Sequence, residues 1–213
     1  MGLSSFLTEL VRSLSENNYE QSLSEYRFWM KLGAAHGWVN DYQLCDDIRA
    51  AMKPDLVYPL SSSQFIHPTS HLLIRFITDV GLDPVLSTYA SNAQNRLCRE
   101  SLERFVDRNV EFVSASGWNN SYVSEFYTSV NFLAHWANLG YLSIEDVQDY
   151  ILQSLTFQPT VHSHQLISLV VFLKISGATF AAYVDPSVMD RCCDLIESGN
   201  FGSSLVGLAK VGV

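Results

Sequence analysis

The sequence is poor in charged residues. Only 16% of its 213 residues are charged, against about 25% in ordinary globular chains, whereas 47% are hydrophobic. This composition excludes an intrinsically disordered chain, because the apolar content suffices to build a core. Since few charges are available to cover a lone monomer, we expect part of the apolar surface to meet a partner or a second copy of the chain.

No segment of the chain is strongly basic. The net charge is −9 overall, and it divides into −4 for residues 1–94, 0 for residues 95–111 and −5 for residues 112–213. Binding to nucleic acid depends on the neutralisation of phosphates by lysine and arginine, so this distribution disfavours strong nonspecific binding. Direct binding of RNA is retained as an alternative function only.

Long apolar runs and a cysteine framework are also missing. The longest apolar stretch, 165–172, is far shorter than the about 18 residues that cross a bilayer, and the first residues lack the basic segment and apolar core of a signal peptide. The four cysteines are scattered, which is typical of reduced thiols in an intracellular protein. We therefore expect a chain that acts in the cytoplasm or the nucleus, without a membrane.

Prolines and glycines lie at positions where helices are expected to begin or end. No proline occurs over residues 85–158, and Gly81, Gly117, Gly140 and Gly199 each follow an apolar-periodic stretch, where a left-handed C-terminal cap is expected. Alternating patterns and hairpin dipeptides are absent, so the pattern predicts an all-α protein. The predicted helices span 3–14, 19–36, 40–52, 69–80, 84–115 (continuous, or broken near Ser91), 121–139, 144–155, 162–182 and 186–198.

Two helix starts are chemically explicit. Ser143 with Asp146 three residues later forms the pattern of a capping box, and Asp185 precedes a proline at a first helical position. The proline-rich and serine-rich segment 53–68 is predicted to be the one long irregular connection. We predict a single helical-repeat domain over residues 1–213, with any seam at 53–68.

The predicted helix 84–115 has one apolar face and one charged face. The charged face carries arginines and acids in alternation: Arg96, Arg99, Arg104 and Arg108 with Glu100, Glu103, Asp107 and Glu111. Guanidinium groups on one exposed helix are suited to clamp phosphates or an acidic partner. Acids interleaved with them are typical of a salt-bridged solvent face, and both interpretations stay open.

The predicted helix 121–139 has an apolar stripe and an opposite face that is polar without charge. Such a helix is either covered on both sides by its own chain, or its polar face meets a partner. Tyr127, Asn131 and His135 on that face therefore join the four arginines as candidate partner-binding residues. Residues 166–175 are apolar almost all round, which indicates a central helix. A central helix flanked by amphipathic helices predicts stacked antiparallel helical hairpins, a HEAT-like array.

Two segments carry a resemblance to a known family. Residues 132–155 (FLAHWANLGYLSIEDVQDYILQSL) and 164–177 (HQLISLVVFLKISG) resemble the closing repeats of the middle domain of eukaryotic translation initiation factor 4 gamma. The resemblance covers about residues 130–199 and lies in helix ends and apolar positions. It implies a HEAT-like scaffold in RNA metabolism or translational control, with an RNA helicase or another RNA-processing factor as the protein partner.

Two pairs of histidines have spacings that can bring imidazoles together on a metal. His67 and His71 are four residues apart, and His162 and His164 are two apart. Because no clustered cysteine or carboxylate completes four ligands, we expect capping and surface roles, and we predict no metal and no other cofactor.

Cysteines and acids admit a catalytic interpretation and a structural one. Cys98, Cys192 and Cys193 are nucleophiles only if a histidine approaches them in space, whereas their apolar neighbours favour packing. Asp46 and Asp47 are interpreted as helix-start charges on a solvated face.

Motifs of known enzymes are missing from the chain, including a phosphate-binding glycine loop, Gly-x-Ser-x-Gly and His-Glu-x-x-His. The aromatic group Tyr26, Phe28 and Trp29 is typical of a core rather than of a recognition platform. We therefore predict a non-enzymatic protein–protein interaction scaffold. A homo-oligomeric structural or adaptor subunit and an RNA-binding helical module are the alternatives.

Overall fold

A computed structural model describes residues 2–52, 68–114, 120–156 and 163–198. It describes the backbone but not the side chains of residues 68–69, 108–114, 120–125, 127 and 163–164. Gly117, Gly199, His67, His162 and all of the predicted connection 53–68 except Pro68 lie outside the described residues. The helices within them are α1 (Leu3–Arg12), α2 (Tyr19–His36), α3 (Gln43–Ala51), α4 (Pro68–Gly81), α5 (Ser87–Ser114), α6 (Asn120–Asn138), the π-helix π1 (Asp146–Leu152), α7 (Gln153–Thr156), α8 (Ser163–Phe180) and α9 (Pro186–Ser198).

The all-α prediction is confirmed for the described residues, and three details are added. The helix predicted from residue 40 begins only at Gln43, because the side-chain oxygen of Asn40 accepts a hydrogen bond from the amide of Tyr42 at 2.8 Å and closes a turn there. α5 runs without a break through Ser91, which is the first of the two predicted alternatives. The predicted helix 144–155 contains the seven-residue π-helix, which the sequence pattern did not indicate.

The helix caps follow the predicted chemistry at two starts. The hydroxyl of Ser143 accepts from the amide of Asp146 at 3.0 Å, and the Asp146 carboxylate accepts in return from the Ser143 amide at 3.3 Å. The Asp185 carboxylate accepts from the amide of Ser187, the second residue of α9, at 2.8 Å. Each acceptor satisfies a donor that the first helical turn leaves without a backbone partner.

The structure confirms one of the predicted glycine caps at the C-terminal ends of helices and contradicts another. Gly140 has φ +76° and ends α6 as predicted, and Gly37, which the pattern did not single out, ends α2 with φ +68°. The left-handed cap predicted at Gly81 is wrong, because Gly81 is the last residue of α4 and has a negative φ. A Cβ atom at Gly81 would lie 2.9 Å from the Cβ of Ala90, so this glycine permits a close approach of α4 and α5 instead.

The described helices divide into two compact units, and the boundary lies inside α5. Unit 1 contains α1 to α4 and α5 up to Glu100, whereas unit 2 contains α5 from Ser101 and the helices that follow. The single-domain interpretation stays a prediction. Each unit has its own apolar core.

In unit 1, α1 packs against α2 and α3, and α2 packs against α4. The rings of Tyr26 and Phe76 meet edge to face with centroids 5.1 Å apart, at the contact of α2 with α4. The fully buried apolar residues of this core include Leu7, Val11, Met30, Leu44, Ile48, Ile77 and Leu86.

In unit 2, α6 packs along α8, and three contacts fix the direction of the helices. The hydroxyl of Thr179 donates to the side-chain oxygen of Asn138, so the C-terminal ends of α6 and α8 meet. The Asp185 amide donates to the side chain of Gln148 at 3.0 Å, which joins the start of π1 to the turn before α9. Farther along, Nε of Arg191 donates to the carbonyl of Thr156 at 2.9 Å, so π1 and α7 run in the direction of α9.

Candidate functional site

The predicted arginine face begins with Arg96, whose side chain is engaged within unit 1. Its Nε donates to Glu100 at 3.0 Å, and its guanidinium lies over the ring of Tyr42 at 4.9 Å. Glu100 also accepts from Arg49 at 2.6 Å, and this contact joins α5 to α3. Glu100 therefore anchors one arginine of this face, Arg96, as the salt-bridged interpretation predicts, and also Arg49 of α3.

The remaining arginines of this face belong to different units. Arg99 lies in unit 1 and Arg104 in unit 2, and both are exposed. The side chain of Arg108 lies outside the described residues. Within unit 1 the structure brings Arg96 together with Glu100 and Tyr42.

The three candidates on α6 have different surroundings. Asn131 is fully buried inside unit 2, His135 is half-buried, and the side chain of Tyr127 lies outside the described residues. Residues 128–134 are all buried, so the first interpretation of this helix, coverage on both sides by its own chain, is confirmed for that stretch. Asn131 is consequently not available to a partner in the folded unit.

A buried carboxylate forms the densest polar cluster in unit 1. Asp47 is 0% exposed and accepts from the hydroxyl of Thr8 at 2.6 Å, the hydroxyl of Tyr26 at 2.7 Å and the amide of Gln43 at 2.9 Å. Burial raises the pKa of the Asp47 carboxyl above its ordinary value, against the lowering effect of the three donors. The carboxyl is closed off from any substrate and ties α1, α2 and α3 together.

The placement of Asp47 on a solvated face was therefore wrong, whereas Asp46 is exposed as predicted. The signal was present in the sequence, because Leu44, Asp47 and Ile48 have the i, i+3, i+4 spacing of one helix face. The residue type alone predicts a carboxylate in solvent, whereas the spacing predicts a position on the buried face.

The thiols occupy packed positions. All four cysteines are free, and Cys45, Cys98 and Cys192 are buried. Burial, followed by the neighbouring Cys193, raises the pKa of Cys192 to about 12. A thiol of this kind is a poor nucleophile at neutral pH, which agrees with the packing interpretation.

A surface cleft of about 350 Å³ lies beside α2 in unit 1 and is lined by both signs of charge. Nζ of Lys31 pairs with Asp83 at 2.8 Å, and Arg27 donates to the carbonyl of Asp79. Phe28 is 59% exposed at this cleft, so its assignment to the core was wrong, although the assignment of Tyr26 is confirmed. Phe28 lies on the outer face of α2, where its ring meets the ring of the half-buried Trp29 edge to face.

Unit 2 exposes large apolar side chains that the sequence reasoning did not select. Leu139 and Tyr141 follow the end of α6, and Tyr183 follows the end of α8, with exposed fractions of 48%, 41% and 72%. Since the ends of α6 and α8 meet, these three residues lie at one end of the unit, and we call them the tyrosine surface. The sequence places these residues just beyond two helices, but the meeting of the two helix ends depends on tertiary packing.

Among the residues that the structure describes, no group of three or more His, Cys, Asp or Glu side chains is placed to hold a metal ion. The same residues contain no helix that is long and apolar enough to cross a membrane.

No protein-family model, no curated protein and no solved structure matches the chain.

Proposed function

We propose that the chain is a non-enzymatic protein–protein interaction scaffold whose helices form a HEAT-like array of stacked antiparallel hairpins. In this proposal α6 with π1 and α7 is one hairpin, and α8 with α9 is the next. The contacts of Asn138 with Thr179 and of Gln148 with Asp185 support it, since they place equivalent helix ends side by side. Stacks of this kind expose an extended lateral surface to partners.

The observation that carries the proposal is the tyrosine surface. Tyrosine is enriched among the residues that dominate binding energy, because it offers a large apolar ring with a polar tip and few rotatable bonds. Tyr183 is almost three-quarters exposed. A chain with few charges that leaves Leu139, Tyr141 and Tyr183 at one end is suited to dock a partner there.

The biological process that we propose is taken from the resemblance of about residues 130–199 to the middle domain of eukaryotic translation initiation factor 4 gamma. It favours RNA metabolism or translational control, in the cytoplasm or nucleus, with an RNA helicase or another RNA-processing factor as partner. The part of unit 2 that carries the tyrosine surface lies within that segment.

The proposal is tested by affinity purification of the tagged full chain from its native cells, with and without nuclease. The comparison variant is Tyr141→Ser with Tyr183→Ser, and Leu82→Ser is the matched control, because Leu82 in unit 1 is also 72% exposed. We expect proteins that are recovered after nuclease treatment and lost with the double variant only.

Light scattering of the purified chain distinguishes the alternatives. Recovery of the chain alone, as a large concentration-dependent particle, would overturn the scaffold in favour of a homo-oligomeric assembly subunit. Loss of every partner on nuclease treatment would favour the RNA-binding module instead.

A further inference from the structure

The segments that carry the tyrosine surface contain acids but no basic residue. The stretches 136–161 and 175–190 contain no lysine, arginine or histidine. Among the residues that the structure describes, the basic ones that adjoin these stretches are the half-buried His135, the exposed Lys174 and Arg191, which donates to the carbonyl of Thr156. They contain five acids, of which four are exposed and Asp146 is half-buried; the five are Glu145, Asp146, Asp149, Asp185 and Asp190. The surface therefore combines apolar anchors with an unbalanced negative charge.

Local hydrogen bonds hold two of these carboxylates, Asp149 and Asp185, in place. The hydroxyl and the amide of Ser187 lower the pKa of Asp185. Asp149 accepts from the side chain of Gln153 at 3.1 Å. These amide and hydroxyl donors are neutral, so the hydrogen bonds bring no positive charge to the surface.

Helix dipoles do not offset this charge. The negative C-terminal ends of α6 and α8 meet at this end, and the positive N-terminal ends of π1 and α9 lie beside them. Two ends of each sign oppose one another, so the potential is set by the side chains. Charge complementarity consequently favours a positively charged occupant.

We infer that the tyrosine surface binds a basic amphipathic segment of a partner protein, whose apolar side chains contact Leu139, Tyr141 and Tyr183 while its lysines or arginines face Glu145 and Asp149. This inference rests on the proposed function and names the chemistry of the partner. An acidic segment or an RNA strand would meet like charge at the same place.

The test uses three dye-labelled peptides and the full chain, with fluorescence anisotropy as the readout. The first peptide is an amphipathic helix with lysine on its polar face and leucine and tryptophan on its apolar face. The second replaces every lysine by glutamate, and the third replaces every leucine and tryptophan by serine. We expect binding of the first peptide only, with an affinity that falls as salt rises towards about 0.5 M.

Variants of the chain assign the binding to the surface. Tyr183→Ser, at a largely exposed side chain, should weaken binding of the first peptide about tenfold, whereas Leu82→Ser should leave it unchanged. Glu145→Gln with Asp149→Asn should reduce its salt dependence. Binding that Tyr183→Ser does not alter, equal binding of the glutamate peptide, or binding of a labelled oligouridine in place of the first peptide would overturn the inference.

Two further outcomes separate this inference from the proposed function. If the double tyrosine variant loses partners in the affinity purification but the lysine peptide does not bind, the surface docks a partner of other chemistry and the inference alone fails. If the double variant loses self-association in light scattering, the occupant is a second copy of the chain and the inference fails as well.

Discussion

At the scale of single residues, the carboxylate of Asp47 connects three helices of unit 1. Its donors Thr8, Tyr26 and Gln43 come from α1, α2 and α3, and Tyr26 is itself fully buried. A buried polar cluster of this kind is stable only while every member is paired, because the low local dielectric penalises an unpaired group.

Substitution of Asp47 by alanine should therefore destabilise unit 1 strongly. The hydroxyl of Tyr26 and the amide of Gln43 would lose their acceptor inside the core, at a cost of about 3 kcal/mol in the free energy of unfolding. Urea denaturation monitored by circular dichroism measures this cost. Asp46→Ala, at the exposed neighbour, should cost less than about 1 kcal/mol, and equal effects of the two variants would contradict the interpretation.

The raised pKa of Asp47 also predicts a dependence of stability on pH. Since burial raises the folded pKa above the ordinary value of 3.8, the folded state binds the proton more tightly than the unfolded chain does. This contribution to stability is present below pH 3.8 and is lost as pH rises through the folded pKa. Asp47→Asn keeps the shape of the neutral carboxyl at every pH.

The free energy of unfolding of the unchanged chain, relative to that of Asp47→Asn, should consequently fall as pH rises above that range. Denaturation at a series of pH values measures the difference, and Asp46→Asn controls for the loss of one charge from the surface. A constant difference between the chain and Asp47→Asn would show that the carboxyl has no raised pKa.

At the scale of helices, the two left-handed glycines end α2 and α6 by the same geometry. The amide of Trp38 donates to the carbonyl of Gly33 at 2.8 Å, and the amide of Tyr141 donates to the carbonyl of Trp136 at 2.9 Å. Both bonds span five residues and form a Schellman motif around Gly37 and Gly140. The motif at the end of α6 determines the direction in which the chain continues to Tyr141.

Substitution of Gly37 by alanine should destabilise unit 1 by about 1 kcal/mol, because a Cβ atom disfavours the left-handed conformation. No heavy atom lies within 4 Å of an added Cβ at this position, so the cost is conformational and no steric clash contributes. Gly37→Asn should cost less, since asparagine tolerates this conformation. Thermal denaturation compares the two variants, and a larger loss with asparagine would contradict this explanation.

The geometry of the π-helix determines which of its own side chains are buried and which are exposed. Val147, Ile151 and Leu152 of π1 are buried, whereas Tyr150 is exposed. A π-helical turn is wider than an α-helical one, so residues four and five apart share a face. The apolar ladder of this segment therefore reaches the core with a spacing that α-helical periodicity does not describe.

At the scale of the whole molecule, the acidic balance of the chain argues against RNA as the direct ligand. Residues 101–213 carry 11 acidic and five basic residues, and Glu100 engages Arg49 and Arg96. The number of arginines able to neutralise phosphates is correspondingly small.

We therefore expect a labelled oligouridine not to bind the full chain at physiological salt, and Arg104→Glu with Arg108→Glu to leave this result unchanged. Fluorescence anisotropy over a salt series measures the binding. Affinity that falls steeply with salt and is abolished by the double reversal would instead identify an RNA-binding module.

The sequence by itself determined the helical class, most helix limits and several caps. These properties depend on neighbours within a few residues: the boundaries of α2, the capping box of Ser143 with Asp146 and the start of α9 at Pro186 all follow from local chemistry. The periodicity of α6 leaves two interpretations open, namely that its polar face is covered by the chain itself or that it meets a partner.

Only the tertiary structure decided which polar side chains are inside and which apolar ones are outside. Asp47 is buried because α1 and α2 bring their hydroxyl donors to it, and Tyr183 lies at the same end of unit 2 as Leu139 because α8 packs along α6. Such placements depend on residues far apart in the chain, whose approach no local spacing encodes.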